Sequence, residues 1–281
     1  MSHSLLVIGC GDLGGAVARH CAGLGWDVTG VRRSAIDIPG VRMLAADVTD
    51  AASLQPLRDI AAELVLIVLT PGGFNDERYR AVYVDGLAHV LANLNTSRLR
   101  RLLWVSSTSV FDQDDGSLLD ENSPARPSGF SGRRLLEAEQ LLAHSGLPST
   151  SIRFGGIYGR GRDRLLQQLR GGRRTAPTPV RISNRIHRDD AVGILQFLLQ
   201  RAAEGVALDP LYLGVDTEPT AIAEVERWFA NYLQLDYAQL QQTEGELRGG
   251  NKHCCSTRLQ QLGYSFIYPT YREGLPTLLN D

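Results

Sequence analysis

Leu5-Leu6-Val7-Ile8-Gly9-Cys10-Gly11-Asp12-Leu13-Gly14 decides the reading of this chain. Four apolar residues, glycines at 9, 11 and 14, and an amphipathic run to Leu24 predict a buried strand, a tight turn and a helix. Each glycine has its own physical task. Gly9 makes the turn, Gly11 leaves the backbone bare for a pyrophosphate, and Gly14 lets the helix pack close to the strand. Asp12 and Leu13 fall in the first helical turn, whose N–H groups have no intrahelical acceptor and carry partial positive charge. A strand–GxGxxG–helix is therefore a dinucleotide-binding arrangement, with a purely structural glycine turn as the alternative.

The texture around this stretch fits the same reading. Asp27–Val31, Val41–Ala45, Leu64–Leu69, Arg101–Ser106 and Thr150–Phe154 are further short apolar runs. Between them, 13–24, 76–94 and 132–144 carry helical periodicity. Near-continuous apolar strands alternating with helices imply a parallel sheet covered on both faces. From Gly155 to Pro179 glycine, proline and arginine become dense and periodicity is lost. A helix capped by Asp189 or Asp190 then runs to about Gln200, and another spans 222–233. The expected fold class is α/β, a Rossmann-type doubly wound parallel sheet with a smaller C-terminal substrate-binding lobe. The sheet domain takes 1–154 and is rejoined by about 183–214; the lobe takes 155–182 and 215–281.

The end of the second strand chooses between cofactors. NAD sites place an acid there for the ribose hydroxyls. This chain has Arg32, Arg33 and Ser34, two guanidiniums and a hydroxyl suited to a 2′-phosphate. NADP(H) is the preferred cofactor on this reading and NAD(H) the alternative; solvated surface arginines would select neither.

Composition narrows the function classes. Lys+Arg is 29 against Asp+Glu 31, a net charge of -2, so no global basic field argues for nucleic acid or an anionic membrane. At 43% hydrophobic residues the 281-residue chain can build a sizeable core. Lys252 is its one lysine, which excludes a P-loop or a Schiff base anywhere else. Cys10, Cys21, Cys254 and Cys255 form no zinc spacing, and His253-Cys254-Cys255 has no second cluster to complete a site. No metal is expected. The apolar runs are too short for a signal peptide or a membrane span, so a reduced cytoplasm is the expected location.

Further segments resemble the extended and atypical short-chain dehydrogenase/reductases, the NAD(P)-dependent epimerase/dehydratase superfamily. Asp47-Val48-Thr49-Asp50 is similar to its adenine-contacting D-x-x-D step. Leu69-Thr70-Pro71 stands at the fourth-strand end that lines the cofactor. Val105-Ser106-Ser107-Thr108-Ser109-Val110-Phe111 resembles its S-S-x-x-V-Y/F segment, which puts Ser107 on the catalytic Ser/Thr position and Ser106 beside the cofactor. Arg153-Phe154-Gly155-Gly156-Ile157-Tyr158-Gly159 resembles the nicotinamide-side R-x-x-N-x-x-G. Asn184 to Asp190 resembles I-H-V-x-D, and the tail resembles L-G-[FY]…Y-x-x-G-L. The resemblance implies hydride exchange with a carbonyl or hydroxyl substrate, for which sugar nucleotides are an expectation.

The departure from the family is chemical. Its Y-x-x-x-K proton donor would lie in 127–139, where Ser131 and Leu135, or in the shifted alignment Phe130 and Arg134, occupy the two positions. Neither alignment supplies a Tyr; Arg134 could hold a ribose but cannot be deprotonated. Gly156 stands where the family has Asn. A catalytically silent NADP(H)-binding sensor therefore stays beside the enzyme as an alternative.

Nine arginines but one acid, Asp163, lie between Arg160 and Arg188. They read either as an anion site for a small-molecule substrate or as a solvated face. No aromatics interleave with them to stack nucleic-acid bases. His187 is read as satisfied within the fold rather than as a base. Tyr79, Tyr83 and Tyr158 are candidate replacement phenols whose bland role is packing. The chain is expected to act as a monomer or homodimer.

Overall fold

The structure, a computed structural model, describes residues 3–34, 36–243 and 250–279; residues 244–249 and 280–281 of the expected lobe lie outside them. The chain divides into two compact units. The first comprises 1–110, 127–153 and 192–212, the second 111–126, 154–191 and 213–281.

The first unit is built on β1 (Ser4–Ile8), β2 (Asp27–Arg32), β3 (Val41–Ala45), β4 (Leu64–Ile67) and β5 (Arg101–Ser107), with the strands Ser149–Phe154 and Leu211–Gly214. In space the order is Leu211–Gly214, Ser149–Phe154, β5, β4, β1, β2, β3. The registers Leu5↔Val28, Leu5↔Leu64, Val28↔Val41 and Leu64↔Arg101 are all parallel. This is the doubly wound Rossmann-type sheet that the apolar runs predict. Strand order reverses between β1 and β4, and in such sheets ligands bind outside the carboxyl ends at that point. The central strands β1, β4 and β5 are apolar through most of their length because both faces are covered: Leu6, Ile8, Val65, Ile67, Leu102 and Trp104 are fully buried.

The helices α1 (Asp12–Gly23), α2 (Asp76–Tyr79), α3 (Gly86–Asn93) and α4 (Phe130–His144) fall close to the expected spans. The single helix expected over 76–94 is interrupted: Arg80–Asp85 form a π-helical turn between α2 and α3. Such a turn is defined by i→i+5 hydrogen bonds, which an expected helical span does not specify. The strand expected over 64–69 ends at Ile67, although the Val68 N–H still reaches the Ile8 carbonyl at 2.8 Å.

The second unit contains short paired strands rather than one sheet. Gly156–Tyr158 runs parallel to Arg185–His187, Arg173–Thr175 parallel to Gln241–Thr243, and Ile182–Ser183 antiparallel to Thr220–Ala221. The Gly/Pro/Arg-rich stretch thus does carry elements, including the helix Arg164–Arg170. Its apolar core gathers Leu166, Leu169, Val225, Phe229, Tyr271 and Leu275. Buried Asp190 accepts bonds from the Tyr264 hydroxyl at 2.9 Å and the N–H groups of Ile267 and Tyr268 at 2.8 and 2.9 Å, pinning the tail. Lys252 is buried as well, and its ammonium donates to the Phe111 carbonyl. Burial holds that ammonium below the ordinary lysine range.

Candidate functional site

In the first unit a groove of about 240 Å³ opens at the carboxyl ends of β1, β2 and β4. Gly9 and Gly11 form one wall, Arg32 and Arg33 another, and Asp47, Val48, Leu69, Thr70 and Pro71 complete it. Gly9 and Gly14 hold the tight turn and the close helix–strand approach read from the sequence. Gly9 has φ +95, and a Cβ on it would lie 1.9 Å from the Val68 carbonyl oxygen. A Cβ on Gly14 would lie 2.3 Å from the Gly9 oxygen, whereas around Gly11 nothing stands within 4 Å of one. The first two positions are closed by the protein's own backbone; the third is open towards a ligand. Gly11 is also the N-cap of α1 and offers no side-chain acceptor, so the helix's leading N–H groups remain for an anion. These residues fit a dinucleotide.

The remaining predicted positions divide. Asp12 and Ser34 are exposed beside the groove's glycines and arginines in sequence, while Leu13 is 4% exposed and packs in the core, so only its backbone is available. Asp47 is partly committed, its Oδ1 accepting from the Thr49 N–H and hydroxyl at 2.9 and 2.8 Å. Ser106 points inward: its hydroxyl donates to Glu139 Oε1 at 2.5 Å. Arg134 grips Asp76 with two parallel bonds of 2.8 and 2.9 Å and Glu137 with a third, so its fork is directed at carboxylates rather than at a ribose. The physical reason is local: Glu137 lies one turn along α4, and Asp76 opens α2, which packs on α4. Phe154 is buried against Gly214, where a Cβ would come within 2.3 Å of its ring. Gly155 bonds the Gly214 carbonyl at 3.0 Å, and Gly156 is exposed, its N–H on the Asn184 carbonyl at 2.8 Å.

Ser107, at the end of β5, accepts the Ser109 N–H at 3.2 Å, which leaves its own O–H to donate. Beneath it, Arg153 meets Glu139 through bonds of 3.0, 3.2 and 2.6 Å, with both side chains buried. This Ser106–Glu139–Arg153 network ties β5, α4 and the strand Ser149–Phe154 together. Sequence reasoning missed it, because a buried ion pair has no periodic signature. Arg78 and Val82, which also line the groove, were missed too; their signal is the i, i+4 spacing on the expected helix.

Of the candidate phenols, Tyr79 packs edge-on against Phe130 at 5.3 Å, and Tyr83 packs on Trp104. Burial raises the Tyr83 hydroxyl far above its ordinary range.

The second unit holds its own cavity of about 310 Å³, with Gly156, Tyr158, Arg162, Arg164 and Arg185 in its wall. Arg185 is buried, donates to the Ser183 hydroxyl at 2.9 Å, and faces Asp216 at 3.4 Å. Burial pushes the Asp216 carboxyl up to about 7 against the pull of Arg185. The Tyr158 hydroxyl fits only because residue 274 is glycine, where a Cβ would fall 2.0 Å from it. His187 is satisfied: its ring pairs with the Thr277 hydroxyl at 3.1 Å and accepts the Asp189 N–H at 3.1 Å. Burial lowers its pKa below the ordinary histidine value. Of the other arginines of the 160–188 run, Arg174 bonds the Leu240 carbonyl and Arg188 pairs with Asp189, whereas Arg160, Arg170 and Arg173 are exposed. Among the described residues no group of three or more His, Cys, Asp or Glu could hold a metal, and no helix is long and apolar enough to cross a membrane.

The family model described as the RmlD substrate binding domain matches residues 3–179. The chain belongs to this family. Escherichia coli protein YeeZ is 32% identical over 216 residues, covering 71% of this chain and 74% of that protein. A Methylobacillus flagellatus structure named as an NAD-dependent epimerase/dehydratase is 36% identical, covers 100% of this chain and 98% of its own, and superposes with a TM-score of 0.84. The Thermus thermophilus UDP-glucose 4-epimerase in complex with NAD has a TM-score of 0.80 at 16% identity, covering 99% and 98%, and so shares the fold. The RmlD-type assignment places the chain among the extended short-chain dehydrogenase/reductases, as its sequence segments imply.

Proposed function

We propose that this chain is an NADP(H)-dependent oxidoreductase or epimerase/dehydratase-like enzyme acting on a carbonyl or hydroxyl substrate. One observation carries the cofactor preference: the groove wall at the end of β2 consists of Arg32 and Arg33, with no carboxylate in the place where one would take the ribose hydroxyls. Two guanidiniums there suit the dianionic 2′-phosphate. Gly9, Gly11 and the leading N–H groups of α1 would hold the pyrophosphate, and Asp47 and Val48 the adenine side.

Bound in this groove, the nicotinamide would supply hydride exchange with a carbonyl or carbinol carbon. Ser107 would hold the substrate oxygen through the O–H that its bond from Ser109 leaves over. Phe130 and Ser131 cannot replace a tyrosine as proton donor, so the proton comes from water or from a group other than these. That loss favours a second reading, a cofactor-binding sensor without turnover.

The test is the dissociation constant of NADPH and of NADH for the wild type and for Arg32→Ala/Arg33→Ala. Wild type should prefer NADPH. The double variant should lose about ten- to a hundred-fold in NADPH affinity, the scale of charge-assisted bonds, and leave NADH unchanged. Equal affinity for both cofactors in the wild type refutes the preference. NADPH oxidation against aldehydes, ketones and sugar nucleotides, abolished by Ser107→Ala, separates the enzyme from the sensor.

A further inference from the structure

The cavity of the second unit is unusual for a site that would hold a sugar nucleotide. Six of its lining side chains are aliphatic: Ile157, Leu165, Ile222, Val225, Leu275 and Leu278. A hexose or ribose presents hydroxyls around its whole edge, and each one buried against such a wall gives up its hydration without a replacement bond. The uncharged polar side chains on the wall are largely engaged with one another or with its charges: Gln168 and Thr175 donate to Glu226, Ser183 accepts from Arg185, and the buried Tyr158 hydroxyl alone has no partner among them. Among the described lining residues Glu226 is the one carboxylate, and both of its oxygens are already used: Oε1 by Gln168 and the Thr175 hydroxyl at 2.8 and 2.5 Å, Oε2 by the Thr175 N–H at 2.7 Å. Against this stand three guanidiniums, Arg185 buried and Arg162 and Arg164 exposed. At about 310 Å³ the cavity also lies at the lower end of the range for small-molecule sites, roughly 300–1,000 Å³.

We infer that this cavity takes a small anion with an apolar body, a carboxylate on an aliphatic or aromatic frame, and rejects polyhydroxylated sugar nucleotides. The apolar body lies against the six aliphatic side chains. The carboxylate meets Arg164 on the exposed side of the wall, where a planar guanidinium matches its two oxygens. Arg185 is not that partner, because its three nitrogens donate to the Ser183 hydroxyl, the Ser183 carbonyl and Asp216; the wall therefore offers a ligand less charge than its arginines suggest, which suits a single carboxylate better than a diphosphate. The inference deepens the enzyme reading above and rests on it for the role of this unit as the substrate lobe; the ligand class follows from the cavity alone.

The experiment is calorimetric titration of the intact chain with three probes: 4-phenyl-2-oxobutanoate, its uncharged counterpart 4-phenylbutan-2-one, and UDP-glucose. The keto acid should bind, and the ketone should bind about ten-fold or more weakly, since it lacks only the carboxylate. UDP-glucose should give no binding at concentrations that saturate with the keto acid. Leu165→Trp, which fills the cavity, should abolish keto-acid binding while NADPH still binds. Arg164→Gln, an exposed change that leaves the core intact, should weaken the keto acid several-fold but not the ketone. Absence of keto-acid binding, equal affinity for acid and ketone, or tighter binding of UDP-glucose that Leu165→Trp removes would each overturn the inference. NADPH titration separates the two readings: keto-acid binding without NADPH binding sinks the oxidoreductase and leaves the cavity's ligand class standing, and NADPH binding without keto-acid binding does the reverse.

Discussion

Replacing Glu139 by Gln should be among the most damaging single changes in the first unit. Glu139 is 9% exposed and Arg153 5%, and three N–H···O contacts of 3.2 Å or less join them. The neutral amide keeps the shape but can accept on one side only, so Arg153 stays buried and loses the Glu139 charge, and the Ser106 hydroxyl loses its charged acceptor. Breaking one side of a buried pair typically costs about 3–5 kcal/mol. Each kcal/mol moves the melting temperature of a chain of this size by roughly 2–4 °C, so a fall of about 6–20 °C is expected. The assay is urea denaturation followed by far-UV circular dichroism, with calorimetry in parallel and midpoints compared because two units need not unfold together. A second variant isolates the cause. In Glu139→Leu/Arg153→Met the buried charges disappear together, and most of the loss should be recovered, since apolar replacements of buried pairs are often neutral. A loss below about 1 kcal/mol for Glu139→Gln, the scale of an exposed pair, would refute the reasoning.

Three further outcomes are expected. Gly14→Ala drives a Cβ to 2.3 Å from the Gly9 oxygen, so it should destabilise the chain and remove the rise in melting temperature expected on adding NADPH; an unchanged NADPH dissociation constant would mean the glycine turn is not the cofactor's seat. Arg134→Ala should leave NADPH affinity at the wild-type level, because the Arg134 fork is spent on Asp76 and Glu137; a marked loss would show that it reaches the ribose. His187 has a folded pKa below its unfolded value of about 6.5, so its contribution is present above that pH and lost as pH falls. Urea midpoints from pH 7.5 down to 5 should therefore drop further for the wild type than for His187→Gln, and parallel curves would contradict this.

The legible part of the site is the part built on local backbone constraint. Gly9, Gly11 and Gly14 carry their function in the absence of a side chain, and strand–turn–helix context is set within a dozen residues, so the cradle is legible in the amino-acid order alone. Arg32 and Arg33 are legible because a residue at a strand end in a known register has one place to go. Ser106 and Arg134 are legible only as positions. Where their polar atoms point depends on Glu139 and Asp76, 33 and 58 residues away in sequence, and no pattern in the chain announces those pairings. The π-helical turn at Arg80–Asp85 is hidden as well, because it is defined by which hydrogen bonds form rather than by residue type.

The sequence by itself determined the α/β order, the strand–glycine-turn–helix at residues 5–14 and the presence of a single lysine, because strand and helix periodicity, glycine conformation and residue counts are local or compositional facts. Tertiary structure alone decided what the isolated charges do. It turned Lys252 into a buried donor to the Phe111 carbonyl and His187 into a satisfied core residue. It also divided the arginine-rich run, sending Arg174, Arg185 and Arg188 to partners within the fold and setting Arg162, Arg164 and Arg185 in the wall of one cavity. The physical reason is that a charge takes its role from what shares its burial, and burial is fixed by neighbours that the chain brings together only on folding.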